Sequence, residues 1–238
     1  MTRFRVPRWR AAAAVALAAA LLSAPTALAL RAPAEAAPGA APAAEAAHHH
    51  PSGRFVPRTA RQVAFHDRMR VLWTDHVLWT RLAIVTFADG SAGFDATAAR
   101  LLRNQDDIGA AVTPFYGRAA GEALTALLRE HIAIAVELLQ AAKAGDTGAV
   151  AAARARWNAN ANEIADLLAA ANPRWWRRST LRAAMRTHLD QTLTEATHEL
   201  TGDHAASVAD YEEIQAHILS MADLLSSGII RQFPHRFR

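Results

Sequence analysis

Between residues 69 and 87 the inward-facing positions fall at alternating steps of four and three: Met69, Trp73, His76, Thr80, Ala83 and Phe87. That spacing is the buried stripe of an α-helix, with two polar residues at its centre. Five more segments repeat the pattern. They run through Thr97, Leu101, Asn104, Ile108 and Ala111; through Leu124, Leu128, His131, Ala135, Leu138 and Ala142; and through Val150, Trp157, Ala161, Ile164 and Leu168. The last two run through Leu181, Met185, Leu189, Leu193, Ala196 and Leu200, and through Tyr211, Ile214, Ile218, Met221 and Leu225. No stretch alternates with a period of two, and no glycine-rich phosphate loop follows a strand, so the pattern predicts an all-α domain.

The breaks between stripes are short. Thr59 with Gln62 reads as a capping box opening the first helix, which ends at Asp89-Gly90. Asp95 is expected to cap the second helix, which should stop before a Pro114-Phe115-Tyr116-Gly117 turn. The third helix covers 118–144 and is closed by Gly145; Asp146 caps the fourth, and Asn172-Pro173 ends it. The fifth is placed at 175–200, starting on Trp175-Trp176-Arg177-Arg178, and the sixth at 204–227, after Gly202-Asp203. Such short connections make neighbours antiparallel. The expected architecture is an up-down bundle of about six helices over residues 59–234, followed by a tail at 235–238.

Residues 1–29 have the build of a signal peptide: basic Arg3, Arg5, Arg8 and Arg10, an apolar run, and Ala27-Leu28-Ala29 as a small-x-small cleavage site. The protein is therefore expected to be exported, secreted or associated with the cell envelope; the alternative is an uncleaved segment serving as an anchor. Residues 30–58 form an Ala/Pro-rich linker that cannot bury a core, and its His48-His49-His50 tract reads as solvated. The leader also changes the charge picture. Four of the 26 Lys and Arg residues lie in it, and the other 22 balance the 22 Asp and Glu. A neutral domain lacks the cation excess of a general nucleic-acid binder. With no cysteine in the chain, disulfides and thiolate chemistry are excluded.

Candidate chemistry lies inside the bundle. His76, His131, His188 and His217 fall near the middle of four helices, where short loops bring them to similar heights. Asn104 and Asn160 are expected near that layer, with Asp107, Glu195 and Asp210 orienting the imidazoles from behind. Imidazoles with carboxylates are donors for a divalent metal, Zn, Cu or Fe, or for a small ligand. A buried histidine is also commonly just a hydrogen-bonded core residue, so the competing reading is a non-catalytic structural or interaction bundle whose polar residues fix helix register. Glu195-Ala196-Thr197-His198 is a lone Glu-x-x-His pattern; a di-iron bundle needs two. No nucleophile elbow is present, and no reaction is assigned. Trp175, Trp176, Arg177 and Arg178 suggest a loose membrane-surface contact, or else a helix start packed under the bundle end.

The segments L-W-T-D-H-V-L-W-T-R, R-L-L-R-N-Q-D-D-I-G, P-F-Y-G, W-N-A-N-A-N-E-I-A, N-P-R-W and I-L-S-M-A-D-L-L-S-S-G-I-I-R-Q-F-P resemble an uncharacterised family of small bacterial helical proteins. The resemblance covers about residues 68–234. It implies one fold unit there and motif positions at His76, Asn104, Asp107 and His131. Members are inconsistently labelled acetylglutamate kinase or glycosyltransferase, activities built on α/β folds with nucleotide-binding turns, which this chain lacks.

Overall fold

The computed structural model describes residues 55–238; the expected signal peptide and most of the linker lie outside them. The described chain is all-helical: α1 (Ala60–Ala88), α2 (Phe94–Tyr116), α3 (Arg118–Ala144), α4 (Thr147–Ala171), α5 (Arg178–Thr201) and α6 (His204–Gln232), then a 3-10 turn at Pro234–Phe237. Consecutive helices pack against each other, α6 closes back onto α1, and α1 also touches α5. Cross-helix bonds fix the directions. Asn104 donates to the Leu72 carbonyl and Thr86 meets Thr97, so α1 and α2 run antiparallel. Arg70 reaches Asp223 while Arg81 reaches Ser207, so α6 is antiparallel to α1. His76 lies by His188 and Arg81 by Glu195, so α5 runs parallel to α1.

The caps follow local chemistry. Thr59 accepts from the Gln62 N–H at 3.2 Å, while Gln62 Oε1 takes the Arg58 N–H at 2.8 Å, one residue earlier than a standard capping box. Asp146 caps α4 as expected, and Gly145, at φ 72°, ends α3 in the left-handed region.

Four boundaries differ from expectation, three of them for a packing reason. The α2 cap is Gly93 and not the expected Asp95, which falls in the first turn; at the other end Pro114 lies inside the last turn, and Gly117, at φ 86°, makes the break. The lost Pro114 donor lies where the aromatic cluster of Phe65, Phe115, Phe233 and Phe237 supports the helix end. Trp175 and Trp176 precede α5 rather than start it. Trp176 is 1 % exposed and donates its indole N–H to the Leu224 carbonyl at 3.2 Å, so it fills the end of the bundle and is not available to a membrane surface. Gly228 therefore does not end α6. A Cβ there would stand 2.0 Å from Trp176 Nε1, so the missing side chain makes room for the indole and the helix runs on to Gln232.

Candidate functional site: a buried imidazole layer

Three of the four mid-helix histidines meet. His76 of α1, His131 of α3 and His188 of α5 are each 4 % exposed or less. The His76 and His188 rings are 5.5 Å apart and those of His188 and His131 6.4 Å. Trp73 lies edge-on to His76 at 5.7 Å, and Trp157 stacks on His131 at 5.1 Å. Five rings thus cross the bundle from α1 to α4. His217 stays at the margin, partly exposed, with Nε2 bonded to the Ala184 carbonyl at 2.9 Å.

The surrounding amides fix two of the tautomers. Asn160 donates its amide to the Leu127 carbonyl at 3.1 Å, which turns Oδ1 toward His131 Nδ1 at 2.9 Å. That ring must carry its proton on Nδ1, leaving Nε2 with a bare lone pair. Gln105 donates one amide proton to the Leu101 carbonyl at 2.8 Å and turns the other toward His76 Nδ1 at 3.2 Å. His76 then carries its proton on Nε2.

Burial holds all three rings neutral. It lowers His76 to a pKa of about 3, aided by the field of His131. It lowers His131 to about 4 against the opposing bond from Asn160. It takes His188 well below the ordinary imidazole value, reinforced by His76, His131 and His217.

Unpartnered polar atoms concentrate here. Eight buried side-chain nitrogens and oxygens among the described residues have no hydrogen-bond partner, and five belong to this layer: Trp73 Nε1, Gln105 Oε1, His131 Nε2, Trp157 Nε1 and His188 Nδ1. Native interiors leave few such groups, because each costs about 1–3 kcal/mol.

The expected carboxylates are elsewhere. Asp107 is half exposed, 4.0 Å from Arg100. Asp210 bonds His198 at 2.6 Å, and Glu195 faces Arg81 at 2.6 Å, so the lone Glu-x-x-His pattern points its two side chains at different partners. Asn104 bonds the α1 backbone, whereas Asn160 does orient an imidazole. The sequence reading passed over Gln105, which is wholly buried one position off the α2 stripe, and Arg81, Glu199 and Ser207, which gather around Glu195. Among the described residues no group of three or more His, Asp or Glu side chains is arranged to hold a metal.

An apolar cavity of about 50 Å³ lies one helical turn along from the layer. Its walls include Thr80, Leu101, Ala135 and Thr192, each four residues from His76, Gln105, His131 or His188, together with Trp157. Thr80 and Thr192 turn their hydroxyls onto the His76 and His188 carbonyls, at 2.7 and 2.8 Å, which leaves the walls apolar. No protein-family model, curated protein or solved structure matches this chain.

Proposed function

We propose that the bundle is a non-catalytic binding protein that takes a small uncharged ligand in the imidazole layer. The observation that carries this reading is the gathering of five unpartnered polar atoms around three neutral imidazoles. They offer both kinds of contact: the indole N–H groups of Trp73 and Trp157 donate, while Gln105 Oε1 and His131 Nε2 accept. A neutral ligand suits the layer better than Zn²⁺, Cu²⁺ or Fe²⁺. A divalent ion would bring two charges into a site whose carboxylates stand elsewhere, and uncompensated buried charge is costly.

The competing reading, that the polar residues fix register, is supported by the side-chain bonds from Asn104 to the Leu72 carbonyl and from Asn160 to the Leu127 carbonyl, which tie neighbouring helices at set heights. Native mass spectrometry and elemental analysis of untagged protein, wild type beside His131→Leu, separate the readings. A non-metal adduct on the wild type that is lost in the variant, with the helical circular dichroism spectrum kept, is the expected result. Bare protein in both, with the variant melting higher, would establish the register role, and stoichiometric metal would restore the metal reading.

The setting belongs to the same proposal. Residues 1–29 act as a signal peptide and 30–58 as a linker, which places the domain outside the cytoplasmic membrane, free or held by an uncleaved leader. Residues 68–234 are a member of the helical bacterial family they resemble. Any membrane-surface contact falls to Trp175, Arg177 and Arg178; Arg174 and Arg231 already lie over the Trp175 ring at 5.2 and 4.9 Å.

A further inference from the structure

A second buried polar cluster lies on the same face of α5, two to three turns beyond His188. Glu195 and Glu199 are both almost completely buried. They share one guanidinium: Arg81 of α1 donates to Glu195 Oε1 at 2.6 Å and approaches Glu199 Oε1 at 3.5 Å. The same Arg81 nitrogen that meets Glu195 also meets the carbonyl and hydroxyl oxygens of Ser207 in α6, at 3.0 and 2.9 Å. Ser207 in turn donates to Glu199 Oε1 at 2.5 Å, and the other Glu199 oxygen meets His204 Nδ1 at 2.9 Å. His204 is 64 % exposed, so a hydrogen-bonded chain connects the surface to Glu195 through Glu199, Ser207 and Arg81.

The charges do not balance. Arg81 is one cation facing two carboxylates, and Asp210 of α6 adds its field to Glu195, offset by its own bond to His198. Tyr211 of α6 lies under the Arg81 guanidinium at 5.3 Å. From α4, Arg154 reaches Asp190 on the outer face of α5 at 3.5 Å. His204 and His198 are the imidazoles that face these acids. A proton on one Glu oxygen makes that acid neutral, and its loss as pH rises leaves two carboxylates on one guanidinium. Burial, first among the causes, raises Glu195 to about 7 against the pull of Arg81, which places the first such loss near neutrality.

We propose that Arg81, Glu195, Glu199 and Ser207 form a proton-dependent clasp that holds the α5–α6 corner on α1 most tightly at acid pH and loosens it as pH rises through neutrality. The cavity residues Thr80, Ala83, Thr192 and Ala196 lie within three positions of Arg81 or Glu195, so loosening falls at the cavity end of the bundle. The clasp is built from its own residues and works whether or not the imidazole layer binds anything.

Amide hydrogen exchange of residues 198–207 at pH 6 and pH 8.5, corrected for intrinsic exchange chemistry, tests it on the full chain. With Glu195 near 7 in the closed state and near the ordinary carboxyl value in the open one, opening should rise about tenfold across that interval. Glu195→Gln, which mimics the protonated acid, should remove most of the rise. Glu199→Gln is the second variant: it leaves one carboxylate for one guanidinium and should flatten the response in the same way. Equal protection of the wild-type corner at both pH values would overturn the clasp, as would a tenfold rise retained in both variants.

Discussion

His131 has a proton on Nδ1 because Asn160 has no other orientation that keeps its own bond to the Leu127 carbonyl. Removing the amide should therefore cost more than its size suggests. Asn160→Leu leaves the buried His131 N–H and the Leu127 carbonyl without that partner, and we expect a loss of about 2–4 kcal/mol in urea unfolding. In His131→Leu, the residue that is costly to bury is itself replaced, and stability should hold or rise. Asn160→Leu no more destabilising than His131→Leu would mean that the bond contributes nothing. The sequence placed His76, His131 and His188 together because mid-helix residues joined by short loops share a height. It did not reveal Gln105, since an i, i+3, i+4 stripe marks the centre of a buried face and Gln105 sits on its shoulder, next to Asn104. Nor did it show which carboxylates face imidazoles. One residue of rotation about a helix turns a side chain by 100°, enough to send Asp107 to the surface and Glu195 to Arg81.

At the level of elements, the stripes and breaks located all six helices, and the errors lie where a helix end is decided by a distant partner. The sequence pattern ends the sixth helix at 227, just before Gly228; the role of that glycine inside α6 depends on Trp176, 52 positions earlier and out of reach of any local pattern. Gly109 and Gly121 play the same part between α2 and α3, where an added Cβ would come within 2.8 Å of the Gly121 carbonyl or 2.9 Å of the Gly109 carbonyl. These contacts give a paired test. Gly228→Ala drives a methyl into the indole and should destabilise by about 1–3 kcal/mol, with a shift in tryptophan fluorescence. Gly148→Ala meets only Asp146 Oδ1 at 3.5 Å, an ordinary contact, and should be neutral or stabilise by about 0.4 kcal/mol. A Gly228→Ala protein as stable as Gly148→Ala would show that Trp176 has room to move. The last six residues act as an element too. Phe237 is buried against Phe65 and Phe115, and its carbonyl accepts from Thr59 at 2.5 Å, closing the chain end onto the start of α1.

For the molecule as a whole, the α5 face carries two proton-linked groups of opposite sign, and their balance sets how stability depends on pH. The imidazole layer prefers to be neutral. Its folded pKa values lie below the ordinary 6.5, so its contribution is present above 6.5 and is lost as pH falls toward 4 and 3. Glu195 works the other way: its folded value, about 7, lies above the ordinary 4.5, so its contribution is present below 4.5 and is lost as pH rises through 7. Between 4.5 and 6.5 the unfolded chain holds about three more protons on His76, His131 and His188, and the folded chain about one more on Glu195. The net difference is about two, and stability from these groups should rise by roughly 3 kcal/mol per pH unit there, more gently above 6.5, and level off toward 7.5. The variants should change the slope in opposite directions. Glu195→Gln removes the opposing proton and should steepen the acid limb to about three protons, near 4 kcal/mol per unit; His131→Leu removes one imidazole and should flatten it to about one. Urea unfolding of the three proteins at half-unit intervals from pH 4.5 to 8 measures these slopes directly, and the difference between variants cancels the exposed groups they share. Equal slopes in all three would mean that neither the layer nor the clasp is linked to protons. A slope that changes in only one variant would assign the pH dependence to that cluster alone.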